Sequence, residues 1–252
     1  MAITDKANAY REKMFPGREL KLAVTDPEFF ELFENFGFDE AVNEEEHELD
    51  DKSRFLSIIA VLLGCQGIDE FRLIVSAALN FGVTPVEIKE VVYQSSAYMG
   101  MGRMLPFLGA VNEIFTSAGI ELPLEQQGTT TMETRLEAGR KAQVDIFGEG
   151  MKDFYKSGEP GKEHINRWLT SNCFGDFYTR KGLDYKQRDM ITVCVLLGQG
   201  GCEPQLISHA AGNMRIGNDR QFLINVVSQC LPYIGYPRSL NALRCIDAAC
   251  EK

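Results

Sequence analysis

The chain repeats itself, and that repeat limits the folds open to it. Leu183-Asp184-Tyr185-Lys186-Gln187-Arg188 matches Leu49-Asp50-Asp51-Lys52-Ser53-Arg54 at an offset of 134, and Leu196-Leu197-Gly198 matches Leu62-Leu63-Gly64. One inserted residue in the glycine loop moves the offset to 135. Gly82 then meets Gly217, Val91-Val92 meets Val226-Val227, Tyr98-Met99-Gly100 meets Tyr233-Ile234-Gly235, and Arg103 meets Arg238. Punctuation that recurs in register through so long a stretch points to duplication of one structural unit.

The unit reads as helical. Asp26 and Pro27 punctuate a first helix in which Phe29, Leu32, Phe33 and Phe36 fall at i, i+3, i+4 and i+7, predicting one buried face. A helix opens near Leu49 and runs to Leu63, a second runs from about Asp69 to Phe81, and Thr84-Pro85-Val86-Glu87 is a capping box for a third. Another follows from the glycines after Tyr98 to about Ala118. Gly119 to Thr131 holds turn formers without a period and suits a linker. Helical patterning resumes from Met132 to about Tyr155 and again from His164 to Tyr178. No stretch reads as a convincing strand.

Composition narrows function by exclusion. A formal charge of -10 argues against nucleic acid, which is bound by clustered Lys and Arg. The longest apolar run, Ile58 to Leu63, is far short of the roughly 20 residues that span a bilayer. No basic and apolar leader opens the chain, so a cytoplasmic protein is expected. Seven cysteines lie scattered through apolar segments, which suits reduced core residues. With no Cys-x-x-Cys, and with His47, His164 and His209 far apart, no metal site is expected. His47, in an acidic run, and His164, in a first helical turn, read as surface residues.

The combination of Leu-Asp-x-Lys-x-Arg, the glycine break, Gln205-Leu206-Ile207-Ser208-His209, Gly217 and Tyr233-Ile234-Gly235-Tyr236-Pro237-Arg238 resembles the carboxymuconolactone decarboxylase family. The resemblance implies the alkylhydroperoxidase D-like all-α fold as two tandem repeats, 1–125 without the histidine and 126–252 carrying His209. It also implies a homo-oligomer, a trimer of two-repeat chains, that uses no cofactor. The family's chemistry offers a cofactor-free lyase that decarboxylates a small carboxylated lactone. A second branch offers a thiol peroxidase with Cys-x-x-Cys-x-x-x-His. A third possibility is a binding or assembly module without catalysis. Against the peroxidase pattern Cys202 and His209 are present but Gln205 replaces the second thiol. Against Glu-x-x-x-His the second repeat has Gln205 and His209, whereas the first has Glu70 and Ile74.

Helical geometry weighs these options. Cys202 would lie at a helix N-terminus, where the dipole can lower a thiol pKa. It would share a face with Gln205 and His209, but seven residues rise roughly 10 Å, and proton transfer needs about 3 Å. Cys202 and His209 therefore make a poor dyad. Cys65, in the matching loop, is the alternative redox partner, provided the two Cα atoms lie within about 7 Å. His209 is the catalytic candidate, because an imidazole can protonate the carbon or enolate oxygen left as carbon dioxide departs. Gln205 is a candidate to orient the ring or a bound carboxylate. Arg238 and Arg188 are candidates to bind an anionic substrate, although their doubles Arg103 and Arg54 speak equally for a structural part. The pairing of Tyr233 with Tyr98 favours packing.

Overall fold

A computed structural model describes residues 2–18 and 20–251. The described residues form helices and no strand. α1 (Asp5–Met14), α2 (Lys21–Thr25) and α3 (Pro27–Asn35) lead into a π-helical turn, Phe36–Glu40. α4 (Asp51–Cys65), α5 (Ile68–Asn80), α6 (Pro85–Met99) and α7 (Met101–Ser117) complete the first repeat. The second runs through α8 (Arg135–Phe147), α9 (Glu163–Trp168), a π-helical segment Leu169–Tyr178, α10 (Tyr185–Gln199), α11 (Glu203–Arg215), α12 (Arg220–Ile234) and α13 (Tyr236–Cys250). α4 to α7 thus correspond to α10 to α13. No helix among the described residues is long and apolar enough to cross a membrane.

The repeated motif has a physical reason at each position. Its aspartate caps a helix: Asp50 accepts from the Ser53 amide at 2.9 Å, and Asp184 from the Gln187 amide at 2.8 Å. Such caps satisfy backbone donors that a helix cannot satisfy itself. Its arginine turns inward and ties one repeat to the other. Arg54 donates to Gln229 on α12 at 3.0 Å, and Arg188 donates to Gln94 on α6 at 3.0 Å. Its glycine lets α4 and α10 touch. A Cβ on Gly64 would overlap the Val195 carbonyl, and one on Gly198 would come within 2.5 Å of the Val61 carbonyl.

α4 and α10 are therefore central helices, enclosed on all sides as buried helices are. Every residue from Arg54 to Gly64 is buried, and so is every residue from Arg188 to Gly198. One apolar core runs continuously through both repeats, and a smaller cluster under α8 holds Ala142, Ile146, Cys173, Phe174 and Tyr178.

Several expectations need correction. On α3 the buried residues are Phe30, Glu34 and Asn35, while Phe29 and Leu32 are exposed. Asn35 explains the rotation, since it accepts from the Thr4 amide at 2.9 Å and donates to the Ala2 carbonyl at 3.0 Å. Asp26 makes no side-chain cap there. The helix expected through Tyr155 stops at Phe147, because Gly148 takes a positive φ of 97°. His47 is half-buried and contacts Asn225 at 3.2 Å, bridging to α12. His164 is half-buried with its ring edge on Trp168.

Candidate active site

α10 and α11 set Asp189 and His209 side by side. Asp189 lies at the start of the buried stretch of α10, and a buried carboxylate is tolerated only when donors surround it. It has three: Asn213 donates to Oδ2 at 2.9 Å, Tyr178 donates to Oδ1 at 3.1 Å, and Oδ1 lies 2.6 Å from His209 Nδ1. An ionised carboxylate can only accept, so Nδ1 carries the proton of that contact. Nε2 is left as the ring nitrogen without a partner. It has no hydrogen-bond partner among the described residues, and the His209 side chain keeps 11% of its surface exposed. His209 as a whole is 8% exposed, and the Phe147 and Tyr98 rings pack against its imidazole in T-shaped contacts with centroids 5.2 and 5.8 Å away.

Behind the dyad runs a buried relay. The Tyr178 proton goes to Asp189, so Tyr98, 2.9 Å away, is the donor in the contact between the two phenols. The Cys173 thiol lies 3.7 Å from the Tyr98 oxygen and donates to it. Burial pushes the Cys173 thiol up to about 12 and both phenols well above their ordinary range, so all three stay protonated and act as donors. Thr192 stands 2.6 Å from Tyr178 and accepts from Gln94 at 3.0 Å. Gln94 in turn holds Arg188, which pairs with Glu90 at 3.0 Å. Tyr98, Gln94 and Glu90 all lie on α6, so the first repeat supplies one wall of the second repeat's site.

The other sequence candidates fall elsewhere. Arg188 is fully buried, with its guanidinium committed to Glu90, Gln94 and the carbonyls of Arg180 and Lys181; it cannot meet a substrate. Gln205 is exposed and makes no hydrogen bond among the described residues, and Asp189, not Gln205, orients the imidazole. Arg238 is exposed, donates to the Gly198 carbonyl, and lines a cleft with Cys202, Glu203 and Asn241. That cleft, about 20 Å³, has room for about one water.

Cys202 occupies the N-cap position of α11 without a side-chain cap bond and does not become a thiolate there. Burial and the neighbouring Glu203 push its thiol up, and it donates to the Leu196 carbonyl at 3.3 Å. Cys65 is likewise pushed up by burial and lines a different cavity. All seven cysteines are free. No cluster of metal-binding side chains occurs among the described residues.

Sequence reasoning missed Asp189, Tyr178 and Asn213. The signal lay in the repeat itself. At the established offsets Asp189, Thr192, His209 and Asn213 correspond to Phe55, Ile58, Ile74 and Ala78, so each polar member of the second site is apolar in the first.

Over 97% of both chains the fold is similar to a crystal structure from Burkholderia xenovorans LB400 that is provisionally named a gamma-carboxymuconolactone decarboxylase subunit, with a TM-score of 0.56. At 16% sequence identity that likeness concerns the fold alone. No match was found among curated proteins. The sequence pattern of the Carboxymuconolactone decarboxylase family fits twice, at residues 27–113 and 163–248. With more than half of its residues matched by that pattern, and the duplicated helical unit to go with it, the chain belongs to the carboxymuconolactone decarboxylase family.

Proposed function

We propose that the protein is a cofactor-free lyase that decarboxylates a small carboxylated lactone or a related acid, with His209 as the general acid and base. The observation that carries this reading is the 2.6 Å contact between His209 Nδ1 and Asp189, with Nε2 left without a partner among the described residues. When the bond to the substrate carboxylate breaks, carbon dioxide leaves and the electron pair stays on the substrate as a carbanion or enolate. The imidazolium Nε2–H delivers the proton that quenches it, and solvent returns that proton to Nε2. Asp189 stabilises the cationic ring and fixes its tautomer, as a carboxylate behind a catalytic histidine does.

Substrate recognition falls to the groups still free to meet an anion. Gln205, exposed one turn before His209, and the exposed Arg238 remain the candidates. The family default, 4-carboxymuconolactone, is the first compound to assay, and a trimer is the expected assembly. The peroxidase alternative loses support because the Cys202 and Cys65 thiols are held protonated.

Carbon dioxide release from a panel of carboxylated lactones tests the proposal. His209→Ala and Asp189→Asn are expected to lower kcat by roughly 10²- to 10⁴-fold, the usual share of general acid–base catalysis, with the far-UV circular dichroism unchanged. Turnover that survives His209→Ala sinks the reading.

A further inference from the structure

A cavity of about 550 Å³ lies away from His209. It opens in the first repeat between α2, α3, α5 and Tyr233 of α12. Its walls are aromatic, with Phe15, Phe29, Phe30, Phe33, Phe38 and Tyr233 among them. Into this apolar space come two carboxylates, Glu34 and Glu70.

Neither carboxylate accepts a hydrogen bond from the described residues. Glu34 is 1% exposed, and its Oε2 is fully enclosed without a hydrogen-bond partner. Arg11 Nη1 pairs with that oxygen at 3.8 Å, too long for a hydrogen bond, while Nη2 donates to Asn8 at 2.7 Å. Glu70, half-buried, makes no hydrogen bond or ion pair among the described residues. Burial pushes both carboxyls up, Glu34 to about 7, and the charge of Glu70 adds to the push on Glu34. The remaining cations, Arg18 and Lys21, sit exposed at the rim, where water screens them.

We propose that this cavity is a binding site for an organic cation, an aryl or alkyl body carrying a primary ammonium group held between Glu34 and Glu70. An ammonium brings three donors to carboxylates that have no hydrogen bond, and a positive charge to a pair that only the distant Arg11 offsets. The aromatic faces around it attract a cation as well as the apolar body. A neutral alcohol brings a single donor and leaves the charge uncompensated, and an anion is repelled.

Isothermal titration calorimetry at pH 8 with 4-phenylbutylamine and 4-phenylbutan-1-ol tests the assignment. The amine is expected to bind at least about tenfold more tightly than the alcohol, a difference easily read in such a titration. Glu34→Gln and Glu70→Gln should each reduce amine affinity several-fold, and the double variant should abolish the preference while the alcohol binds as before. If the double variant does not fold, the two single variants decide. Equal binding of amine and alcohol, no binding of the amine, or a preference that survives the substitutions overturns the proposal.

Discussion

Glu34 makes a quantitative test of how burial is balanced in the first repeat. Its carboxyl is raised from the ordinary 4.5 to about 7, first by burial and then by Glu70, with Arg11 opposing. Between those two values the folded chain keeps a proton that the unfolded chain has lost. Stability therefore falls as pH rises through this window, and the loss is complete above pH 7. At about 1.4 kcal/mol per pH unit, ionised Glu34 costs the folded state about 3 kcal/mol, an upper figure because side chains relax around it. Glu34→Gln mimics the protonated form in nearly the same shape. It should leave stability unchanged near pH 4.5 and raise it by about 3 kcal/mol at pH 8, or several degrees in Tm for a chain of this size. Urea denaturation of both proteins at the two pH values reads the difference directly. A gain of equal size at both, or none at pH 8, refutes the idea that Glu34 is a buried acid that Arg11 compensates only in part.

Two further substitutions probe the scaffold that holds the dyad. Gly64→Ala and Gly198→Ala each push a Cβ into the facing helix backbone and should cost about 1–3 kcal/mol or more as overpacking, read from denaturant midpoints; a neutral outcome would mean that α4 and α10 do not cross at these glycines. Glu90→Gln strips the carboxylate from the fully buried Arg188 and should destabilise by about 3–5 kcal/mol while also lowering turnover through the displaced Gln94 and Thr192. Stability loss without any change in kcat would separate the Arg188 network from the site.

Much of this fold was legible because its determinants are local. Capping aspartates, break glycines and the repeated arginine occupy fixed offsets, and each serves the same purpose in both copies. What escaped depends on tertiary context. The face of α3 turns because Asn35 reaches the N-terminal segment, a partner that periodicity alone does not reveal. Cys202 lies at the helix start as expected, yet burial and Glu203 outweigh the dipole and keep the thiol protonated. Asp189 escaped because matching the repeats draws attention to identities, whereas the chemistry lies in a difference, aspartate in one copy and Phe55 in the other.

That division between shared and unshared positions explains how one chain carries a single dyad. Arg54 with Gln229, and Arg188 with Gln94, are reciprocal ties across the repeats, so removing either weakens both halves. At the dyad positions themselves no such reciprocity operates. Phe55, Ile58, Ile74 and Ala78 fill with apolar contact the space where the second repeat keeps Asp189, Thr192, His209 and Asn213. A partial loss would have left a carboxylate or imidazole buried without its donors, which costs more than replacing the whole set. The surviving site still leans on the first repeat, since Tyr98 borders His209 and Gln94 and Glu90 anchor the network behind it. The first repeat thus holds no dyad of its own while serving as a wall of the other's, and Tyr233 of the second repeat lines the acidic cavity of the first.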